Sequence, residues 1–320
     1  MSTPRILLTG GTGWVGSALT RTLLARSCDT VLGVRSEAPL PLAGTRTARL
    51  GPLGASLQWP VELRDRQVVV HLAARVHVMN ERAANPLQAF REANTVGTLQ
   101  LARLAAQAGV RRFVFVSSVK VNGESTTAGE PFTANDVPAP QDPYGISKAE
   151  AETGLRQIGQ ETGMEVVIVR PPLVYGPGVK ANFASLLRVL GRGVPLPLGL
   201  ATNNRRSLVA LDNLVDLLIT CIDHPAAANQ TFLVSDGEDL STTALLRRMG
   251  QAMGRPARLL PVPPALLRWG AAAVGKRDVA QRLFGNLQVD ITHTRETLGW
   301  TPPISVDEGL RRAAAGREQG

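Results

Sequence analysis

The sequence feature that most constrains the fold is the glycine-rich run TGGTGWVG at residues 9–16. It follows an apolar run at residues 5–10 and opens a stretch of helical character from about residue 14 to 26. Three glycines in the run are spaced as G-x-x-G-x-x-G: Gly10, Gly13 and Gly16. Such glycines permit a tight turn, a close approach of the backbone to a pyrophosphate, and packing of the helix on the strand. The run therefore predicts the first βαβ unit of a dinucleotide-binding fold, with a diphosphate at the helix N-terminus.

Further short apolar runs predict a parallel sheet. They are rich in β-branched residues and lack polar alternation, as strands buried on both faces do. These runs are TVLGVR (30–35), VVVHLAA (68–74), RFVFVSS (112–118), EVVIVRPP (165–172) and TFLVSD (231–236). Helical segments lie between several of them, most clearly at residues 85–108, where Gly109 supplies a stop. Alternating strands and helices predict an α/β protein with a Rossmann-like, doubly wound parallel sheet.

The sequence changes character beyond Val174. The segments YGPG, GVPLPLG and LPVPP have the composition of turns and loops. We expect residues 1–175, plus about 207–236, to form the dinucleotide-binding domain. Residues 176–206 and 237–320 would form a smaller C-terminal substrate-binding lobe over the carboxyl edge of the sheet, where open α/β sheets bind ligands.

The end of the second predicted strand bears on which dinucleotide is bound. An acidic residue there would bond the ribose 2′-hydroxyl of NAD, but this chain has Arg35 followed by Ser36. An arginine can receive the 2′-phosphate of NADP through a charge-assisted contact. A surface arginine at a strand end is the alternative. We favour NADP(H) over NAD(H).

The segment DPYGISK at residues 142–148 places Tyr144 and Lys148 four residues apart. Pro143 suits the first turn of a helix, so both side chains would share one helix face. A nearby ammonium is expected to lower the pKa of the phenol from about 10 and make it an acid and base near neutral pH. Ser117 and Ser118 end a strand just upstream and could hold a substrate oxygen.

Composition narrows the classes of function. The net charge is +9 and the isoelectric point about 10.6, but the arginines are scattered and aromatic residues make up only 4%. Ordinary arginine-rich surfaces explain this better than nucleic-acid binding. There is no apolar run long enough to span a membrane, and two distant cysteines with four histidines predict neither disulfides nor a metal site. We expect a soluble, cytoplasmic protein. The apolar helical segment LLRWGAAAV (266–274) is better explained by core packing or a subunit contact than by membrane docking.

Several phrases together resemble the extended short-chain dehydrogenases/reductases of the nucleotide-sugar epimerase and dehydratase type. They are TGGTGWVG, VVVHLAA, EANTVGTLQLARLAAQAGVRRFVFVSS, DPYGISKAEAE and VIVRPPLVYGPG, and the resemblance extends over essentially the whole chain. It implies that Tyr144 is the acid/base, that Lys148 tunes it and holds the cofactor ribose, and that Ser118 positions the reacting sugar oxygen. It also implies that the cofactor lies against residues on several loops: Gly10, Gly13, Trp14, Val15, Gly16, Arg35, Ser36, Leu72, Ala73, Ala74, Tyr144, Lys148, Pro171 and Leu173.

The same resemblance implies a sugar linked to UDP or another nucleoside diphosphate as substrate. Asn182 is similar to the family's asparagine near the diphosphate, and Arg206 to its phosphate-binding arginine, with Arg282 as a second candidate. Lys120 stands where related dehydratases carry a glutamate, and it is either a substrate contact or a plain loop lysine. A homodimer is also possible for a protein of this type.

Departures from the family's patterns suggest the reaction. Sugar 4,6-dehydratases place an Asp-Glu pair directly after the catalytic hydroxyl residue, whereas Val119 and Lys120 follow Ser118 here. The 4-epimerases hold NAD with an acidic residue after the second strand, which Arg35 does not match. The phrases HLAARVHVMNE and SSVKVNGE look most like the 4-ketoreductases that make UDP-N-acetylquinovosamine for bacterial O-antigen.

The sequence therefore predicts reduction of UDP-2-acetamido-2,6-dideoxy-xylo-4-hexulose at C4. A UDP-hexose 4-epimerase, acting on UDP-glucose or UDP-N-acetylglucosamine, is the alternative. A non-catalytic dinucleotide-binding sensor is a more distant one, because such proteins often lose the tyrosine or lysine that this chain keeps.

Overall fold

The main sheet has seven parallel strands. The structure, a computed structural model, describes residues 4–36, 44–76 and 85–316. The strands are β1 (Ile6–Thr9), β2 (Thr30–Val34), β3 (Arg46–Arg49), β4 (Val68–His71), β5 (Arg112–Val116), β6 (Glu165–Arg170) and β9 (Thr231–Leu233), and β7 (Leu173–Tyr175) and β8 (Leu208–Ala210) form a separate parallel pair. The order in the main sheet is β3-β2-β1-β4-β5-β6-β9.

Helices cover both faces of the sheet and continue beyond it. They are α1 (Trp14–Ala25), α2 (Pro86–Phe90), α3 (Gly97–Gln107), α4 (Pro143–Thr162), α5 (Ala181–Gly191), α6 (Leu211–Asp223), α7 (Thr242–Ala252), α8 (Pro264–Ala273), α9 (Arg277–Phe284), α10 (Thr292–Leu298) and α11 (Val306–Ala315). A π-helical segment, Arg91–Val96, joins α2 to α3. The predicted α/β fold with a Rossmann-like, doubly wound parallel sheet is confirmed.

Two layers of buried side chains enclose the sheet. Leu8, Val70 and Val114 face the layer that contains α1 and α6, and Leu7 and Val69 face the layer that contains α3 and α4. This alternation explains why the strands read as continuous apolar runs, since each strand is buried on both sides. The six strands predicted from the sequence are all present.

Strand β3 was missed because it is a polar edge strand. Its sequence is RTAR, and three of its four residues are exposed. It pairs only with β2, from Val31↔Arg46 to Val34↔Arg49. Charged residues on an edge strand protect it from pairing with other chains, and they also remove the apolar signal by which a strand is recognised.

A third cluster of buried residues lies outside the main sheet. It joins Tyr175 with apolar residues of α5, α7 and α11. Tyr175 anchors this cluster through a 2.7 Å hydrogen bond from its hydroxyl to Asp236 Oδ2 and a 5.3 Å ring contact with Phe183. A separate core is the physical basis for a second lobe. The residue boundaries of the two lobes stay a prediction.

Candidate active site

The cleft begins where the strand order reverses, between β1 and β4. Gly10 follows β1 with φ of +74°, a conformation that favours glycine. A Cβ on Gly10 would lie 2.6 Å from the backbone nitrogen of Ala73, just after β4. A Cβ on Gly16 would overlap the carbonyl oxygen of Gly10. The glycines therefore let the turn, the first helix and the loop at Leu72 and Ala73 approach one another closely.

The start of α1 can hold an anionic group. Gly13 is its N-cap and has no side chain to bond the free N–H groups of the first turn. The Gly13 N–H donates to the Gly10 carbonyl at 2.9 Å, which closes the turn. A Cβ on Gly13 would meet only that carbonyl, at 3.2 Å. The backbone at Trp14, Val15 and Gly16 thus forms a glycine-lined cradle at a positive helix end, which fits a dinucleotide diphosphate.

Trp14 also connects this turn to the second lobe. Its indole Nε1 donates to the carbonyl of Pro177 at 2.7 Å. Gly178 packs beneath the ring with φ of +72°, and its ideal Cβ position is 3.6 Å from the indole nitrogen. The segment after β7 is therefore held directly against the glycine turn.

Other residues predicted to contact the cofactor lie at the same edge of the sheet. Arg35 and Ser36 are exposed directly after β2 and precede residues 37–43, which lie outside the described part. The Pro171 carbonyl accepts a hydrogen bond from Val119 at 3.0 Å, so the end of β6 lies against the end of β5. Leu173 is 49% exposed at the start of β7.

The two serines that follow β5 have different surroundings. Ser117 is buried and donates to Glu152 Oε1 at 2.6 Å. Ser118 is half-buried, and its Oγ accepts from the backbone N–H of Lys120 at 3.2 Å, capping a short 3₁₀ turn. The Lys120 carbonyl lies 2.9 Å from the ideal Cβ position of Gly145. The turn that carries Ser118 therefore packs against the start of α4, and Ser118 is the serine left free to meet a ligand.

Tyr144 and Lys148 lie one turn apart at the start of α4. Lys148 is 2% exposed, and its Nζ donates to the Val116 carbonyl at 2.9 Å. The same Nζ lies 4.4 Å from the centre of the Phe115 ring and 5.9 Å from the centre of the Tyr144 ring. Phe90 packs edge-on against Tyr144 with ring centres 6.1 Å apart. Apolar rings and the end of β5 thus enclose Lys148, whereas Tyr144 is half-buried.

Enclosure dominates the acid–base properties of this pair. Burial raises the pKa of the Tyr144 phenol, and the charge of Asp142 raises it further. Burial lowers the pKa of Lys148 to about 7, against the opposing attraction of Glu152. The expected lowering of the phenol pKa is therefore wrong in direction for this structure: burial raises the pKa of Tyr144, and Lys148 is itself made less basic by burial.

A buried ion pair supports the serine turn and α4 from beneath. The guanidinium of Arg170, at the end of β6, donates to both carboxylate oxygens of Glu152 at 2.9 and 2.6 Å. Arg170 also donates to Asn122 Oδ1 at 3.0 Å, and Glu152 accepts from Ser117. A fully hydrogen-bonded pair of this kind is costly to break. It fixes Ser118 and Lys148 through their immediate neighbours.

Charged side chains lie next to the turn that carries Ser118. The Nζ of Lys120 donates to Glu124 Oε1 at 2.9 Å and to Asp142 Oδ2 at 2.5 Å. Burial lowers the pKa of Lys120, but those two carboxylates outweigh it and raise the pKa overall. Burial lowers the pKa of Arg206, which lies near enough to Glu124 and Arg282 to feel both charges. The structure thus brings Lys120, Arg206 and Arg282 into one neighbourhood.

Asn182 lies in the first turn of α5, and its predicted role stays a prediction. Within residues 4–36, 44–76 and 85–316, there is no cluster of histidine, cysteine, aspartate and glutamate suited to a metal ion. In the same ranges no helix is both long and apolar enough to traverse a bilayer.

The comparison with protein-family models identifies the family. Residues 6–235 match the model described as the NAD dependent epimerase/dehydratase family. The chain belongs to the NAD dependent epimerase/dehydratase family. This is a family of enzymes. The family match confirms the family that the sequence phrases predicted.

Relatives agree with the family match along the whole chain. The chain is 50% identical over 309 residues to a UDP-glucose 4-epimerase of Vibrio cholerae, covering 97% of this chain and 94% of the relative. The structure of UDP-glucose 4-epimerase from Thermotoga maritima with UDP-glucose has a TM-score of 0.75 at 20% identity, covering 98% and 99% of the two chains. UDP-glucuronic acid 4-epimerase from Bacillus cereus with NAD has a TM-score of 0.76 at 20% identity, with the same coverage. These two structures show the shared fold.

The sequence reasoning missed Asn94, a fully buried residue that contacts the start of α4. Its Oδ1 accepts from the Arg75 N–H at 2.7 Å, and its Nδ2 donates to the Arg75 carbonyl at 3.0 Å and to Ser147 Oγ at 3.1 Å. The Ser147 hydroxyl donates to the Tyr144 carbonyl at 2.8 Å. Asn94 therefore connects the loop after β4 to the turn that carries Tyr144. An asparagine inside a helical run was the available signal, and the π-helical segment around it is typical of functional sites.

Buried polar contacts also explain His71 at the end of β4. Its Nδ1 lies 2.6 Å from Thr9 Oγ1 and its Nε2 3.0 Å from Thr98 Oγ1, and it is fully buried. Both ring nitrogens are thus satisfied, and His71 joins β1, β4 and α3 as a core residue.

Proposed function

We propose that this protein is an NAD-dependent UDP-sugar 4-epimerase that oxidises and re-reduces C4 of a UDP-hexose. The observation that carries this proposal is the pairing of Tyr144 and Lys148 at the carboxyl edge of a sheet whose first turn is a diphosphate cradle. The 50% identity to a UDP-glucose 4-epimerase over nearly the full length supports this reaction above reduction. We therefore favour the epimerase over the 4-ketoreductase that the sequence phrases suggested.

A bound nicotinamide would supply the hydride transfer, away from C4 and back to the opposite face of the 4-keto sugar. The chain's own residues handle the proton. Tyr144 takes the proton of the 4-hydroxyl and gives it back, and Ser118 Oγ holds the same oxygen. Lys148 holds the ribose, and its ammonium stabilises the phenolate whenever it is charged.

The raised pKa of Tyr144 makes the neutral phenol a weaker proton donor and its phenolate a stronger base. The phenol can still return its proton to an alkoxide forming at C4, because an alcohol is a weaker acid still. Removing the proton in the oxidative half needs positive charge nearby, and Lys148 supplies it in its protonated form. Because burial lowers the pKa of Lys148 to about 7, that charge is present below neutral pH and is lost above it.

Two positive side chains would bind the diphosphate of the substrate, and a third would contact its sugar. Arg206 and Arg282 are near enough to repel each other, a cost that an anionic ligand between them would remove. Lys120 lies nearer Asp142 and the tyrosine turn, so it would contact the sugar end. Asn182, in the first turn of α5, completes the proposed substrate wall.

One observation favours a second candidate function. This candidate is a UDP-sugar 4-ketoreductase that uses NADPH and makes UDP-N-acetylquinovosamine. Arg35 is exposed directly after β2, where an acidic residue would favour NAD. Arginine there would bind a 2′-phosphate. The choice between NADP and NAD thus follows the choice between the two reactions.

One assay distinguishes these functions. Purified protein is incubated with UDP-glucose or UDP-N-acetylglucosamine and NAD, and the 4-epimer is followed by chromatography. In parallel, the protein is mixed with NADPH or NADH and UDP-2-acetamido-2,6-dideoxy-xylo-4-hexulose. The epimerase forms the 4-epimer without net change in reduced nicotinamide, whereas the ketoreductase consumes NADPH in step with product.

The controls make the assay decisive. Heat-treated protein corrects for spontaneous loss of the keto sugar, and an acid extract of the purified protein shows whether NAD or NADP came with it. Epimer formation supports the proposal, and stoichiometric NADPH consumption without epimer formation replaces it by the ketoreductase. If neither substrate turns over while the protein binds dinucleotide, the non-catalytic sensor is the better assignment.

A further inference from the structure

The outer face of α8 is an apolar surface that the protein itself does not cover. None of the ten residues of α8 is buried. Trp269 is 76% exposed and Leu266, three residues before it on the same face, is 61% exposed. Val274, directly after the helix, is 67% exposed. Core packing is therefore wrong for these three side chains, which are exposed, and the alternative of a subunit contact stays a prediction.

The opposite face of α8 holds the helix in place. Leu267 and Ala271 are partly buried against the core of the second lobe. Arg268 donates to the Phe284 carbonyl at 3.1 Å, and its guanidinium lies 5.6 Å from the centre of the Phe284 ring. The outer residues are thus displayed on a helix that is anchored to α9.

Basic side chains surround the apolar face. Residues 258–285 contain five basic residues and one acidic residue. Arg268, Lys276, Arg277 and Arg282 are all exposed. Among the described side chains no aspartate or glutamate forms an ion pair with any of these four. The surface defined by Leu266, Trp269, Val274, Lys276 and Arg277, here the α8 surface, is therefore both apolar and positively charged.

We propose that the α8 surface docks on the face of an anionic phospholipid bilayer. A helix with tryptophan and leucine on one side and arginine or lysine beside them is suited to the interface between head groups and acyl chains. The basic residues add attraction to anionic lipids, each contributing near the surface. Charge complementarity thus favours an anionic bilayer as the partner. Trp269 and Leu266 would insert into it.

The charges also argue against a second copy of the chain as the occupant. A two-fold interface places the same surface on both partners. Two α8 surfaces facing each other would oppose arginine and lysine with arginine and lysine, which disfavours association. An anionic bilayer removes that repulsion.

The position of the α8 surface gives the docking a consequence. Helix α9, which packs on α8, carries Arg282, and the carbonyl of its C-cap Gly285 accepts from Arg206 at 3.3 Å. Of the two proposed diphosphate-binding arginines, Arg282 therefore lies on the helix behind the docking face and Arg206 contacts the end of that helix. A bound protein would hold the rim of its substrate cleft close to the lipid head groups.

Vesicle sedimentation tests the proposal with the full chain. The protein is centrifuged with vesicles of phosphatidylcholine alone and with vesicles of phosphatidylcholine and phosphatidylglycerol in equal parts. We expect binding to the anionic vesicles only, weakened by salt. The double variant Leu266→Ala/Trp269→Ala should bind about tenfold more weakly or worse, since it removes most of the inserted apolar area.

Matched variants separate docking from general effects. Lys276→Gln/Arg277→Gln should weaken binding to anionic vesicles, whereas Arg21→Gln/Arg103→Gln, with the same charge change on α1 and α3, should not. Each variant is first checked for an unchanged melting temperature. Trp269→Phe should remove the vesicle-induced shift of tryptophan fluorescence while leaving the other tryptophans.

Three results would overturn the proposal. If the wild-type protein stays in solution with anionic vesicles, the α8 surface does not bind lipid. Equal binding by wild type and a folded Leu266→Ala/Trp269→Ala variant places the contact elsewhere. A dimer in solution that the same double variant converts to a monomer assigns the surface to a second copy. None of these results depends on the sugar that the enzyme transforms, so the proposed function is tested separately.

Discussion

The two walls of the cleft are held by different forces. On the dinucleotide side, Gly10 and Gly16 touch backbone atoms directly, and Lys148 is enclosed by rings and a carbonyl. On the substrate side, Arg206 and Arg282 are long charged side chains of the second lobe, close enough for each to feel the charge of the other. Contacts between backbones leave no room for adjustment, whereas charged side chains can move. Substitutions on the dinucleotide side should therefore abolish activity, whereas substitutions on the substrate side should only reduce it.

The largest effect is expected at the phenol. Tyr144→Phe keeps the ring packed on Phe90 but removes the only atom that can carry the proton. We expect kcat to fall by about 10²–10⁴-fold. Dinucleotide affinity, measured by fluorescence titration, should hardly change because the glycine turn is intact. Turnover close to wild type would remove Tyr144 from the chemistry and with it the basis of the proposed function.

Substitutions in the glycine turn test the dinucleotide side of the cleft through steric effects alone. In Gly16→Ala the new Cβ would overlap the Gly10 carbonyl, so the turn or the helix must shift. We expect the free energy of unfolding to fall by about 1–3 kcal/mol and dinucleotide binding to be lost. Gly270→Ala is the matched control, since nothing lies within 4 Å of its ideal Cβ position in α8. It should be neutral or slightly stabilising, as measured by urea denaturation. Equal losses in both variants would contradict the packing argument.

The difference between the walls also explains what the sequence could predict. The turn at residues 9–16 and the strand ends are local patterns whose geometry follows from neighbouring residues, so the strands and the positions of Ser118 and Tyr144 could be placed in advance. Contacts over long separations could not. The pairing of Glu152 with Arg170 and the link from Asn94 to Arg75 depend on how distant segments meet.

Two errors have the same origin. Burial of Tyr144 is a property of the assembled fold, and a helix spacing cannot report it, so the direction of its pKa shift was missed. The segment at residues 266–274 is apolar in composition, but only the packing of α8 shows which side faces solvent. Composition gives the amount of apolar surface, and the tertiary structure decides what becomes of it.

An effect of intermediate size is expected at the buried end of β4. It is measured as the loss of stability on acidification. Burial, reinforced by the charge of Lys148, lowers the pKa of His71 to about 3. As the pH falls below about 6.5, unfolded chains bind a proton that the folded protein refuses until about pH 3. This histidine's contribution to stability should therefore be lost at up to about 1.4 kcal/mol per pH unit in that window.

The matched variant is His71→Gln, which keeps polar atoms for Thr9 and Thr98 but does not titrate. Urea denaturation of both proteins at pH 7, 6 and 5 gives the difference in slope, and this difference cancels carboxylates common to both. Wild type should lose stability more steeply than the variant. Parallel slopes would mean that His71 is protonated in the folded protein, contrary to its enclosure.

The smallest effect is expected on the charged wall. Arg206→Lys keeps the positive charge but loses the planar fork that can bind two phosphate oxygens at once. The residue does not touch the reacting carbon in the proposed site, so its loss should weaken binding of ground and transition states alike. We expect KM for the UDP-sugar to rise about five- to tenfold with kcat nearly unchanged. Arg205→Lys is the control, because Arg205 is exposed and, among described groups, its guanidinium donates only to the carbonyls of Thr202 and Asn204. A fall in kcat at constant KM would mean that Arg206 acts in the chemical step, as Tyr144 does. The proposed difference between the dinucleotide side and the substrate side would then be wrong.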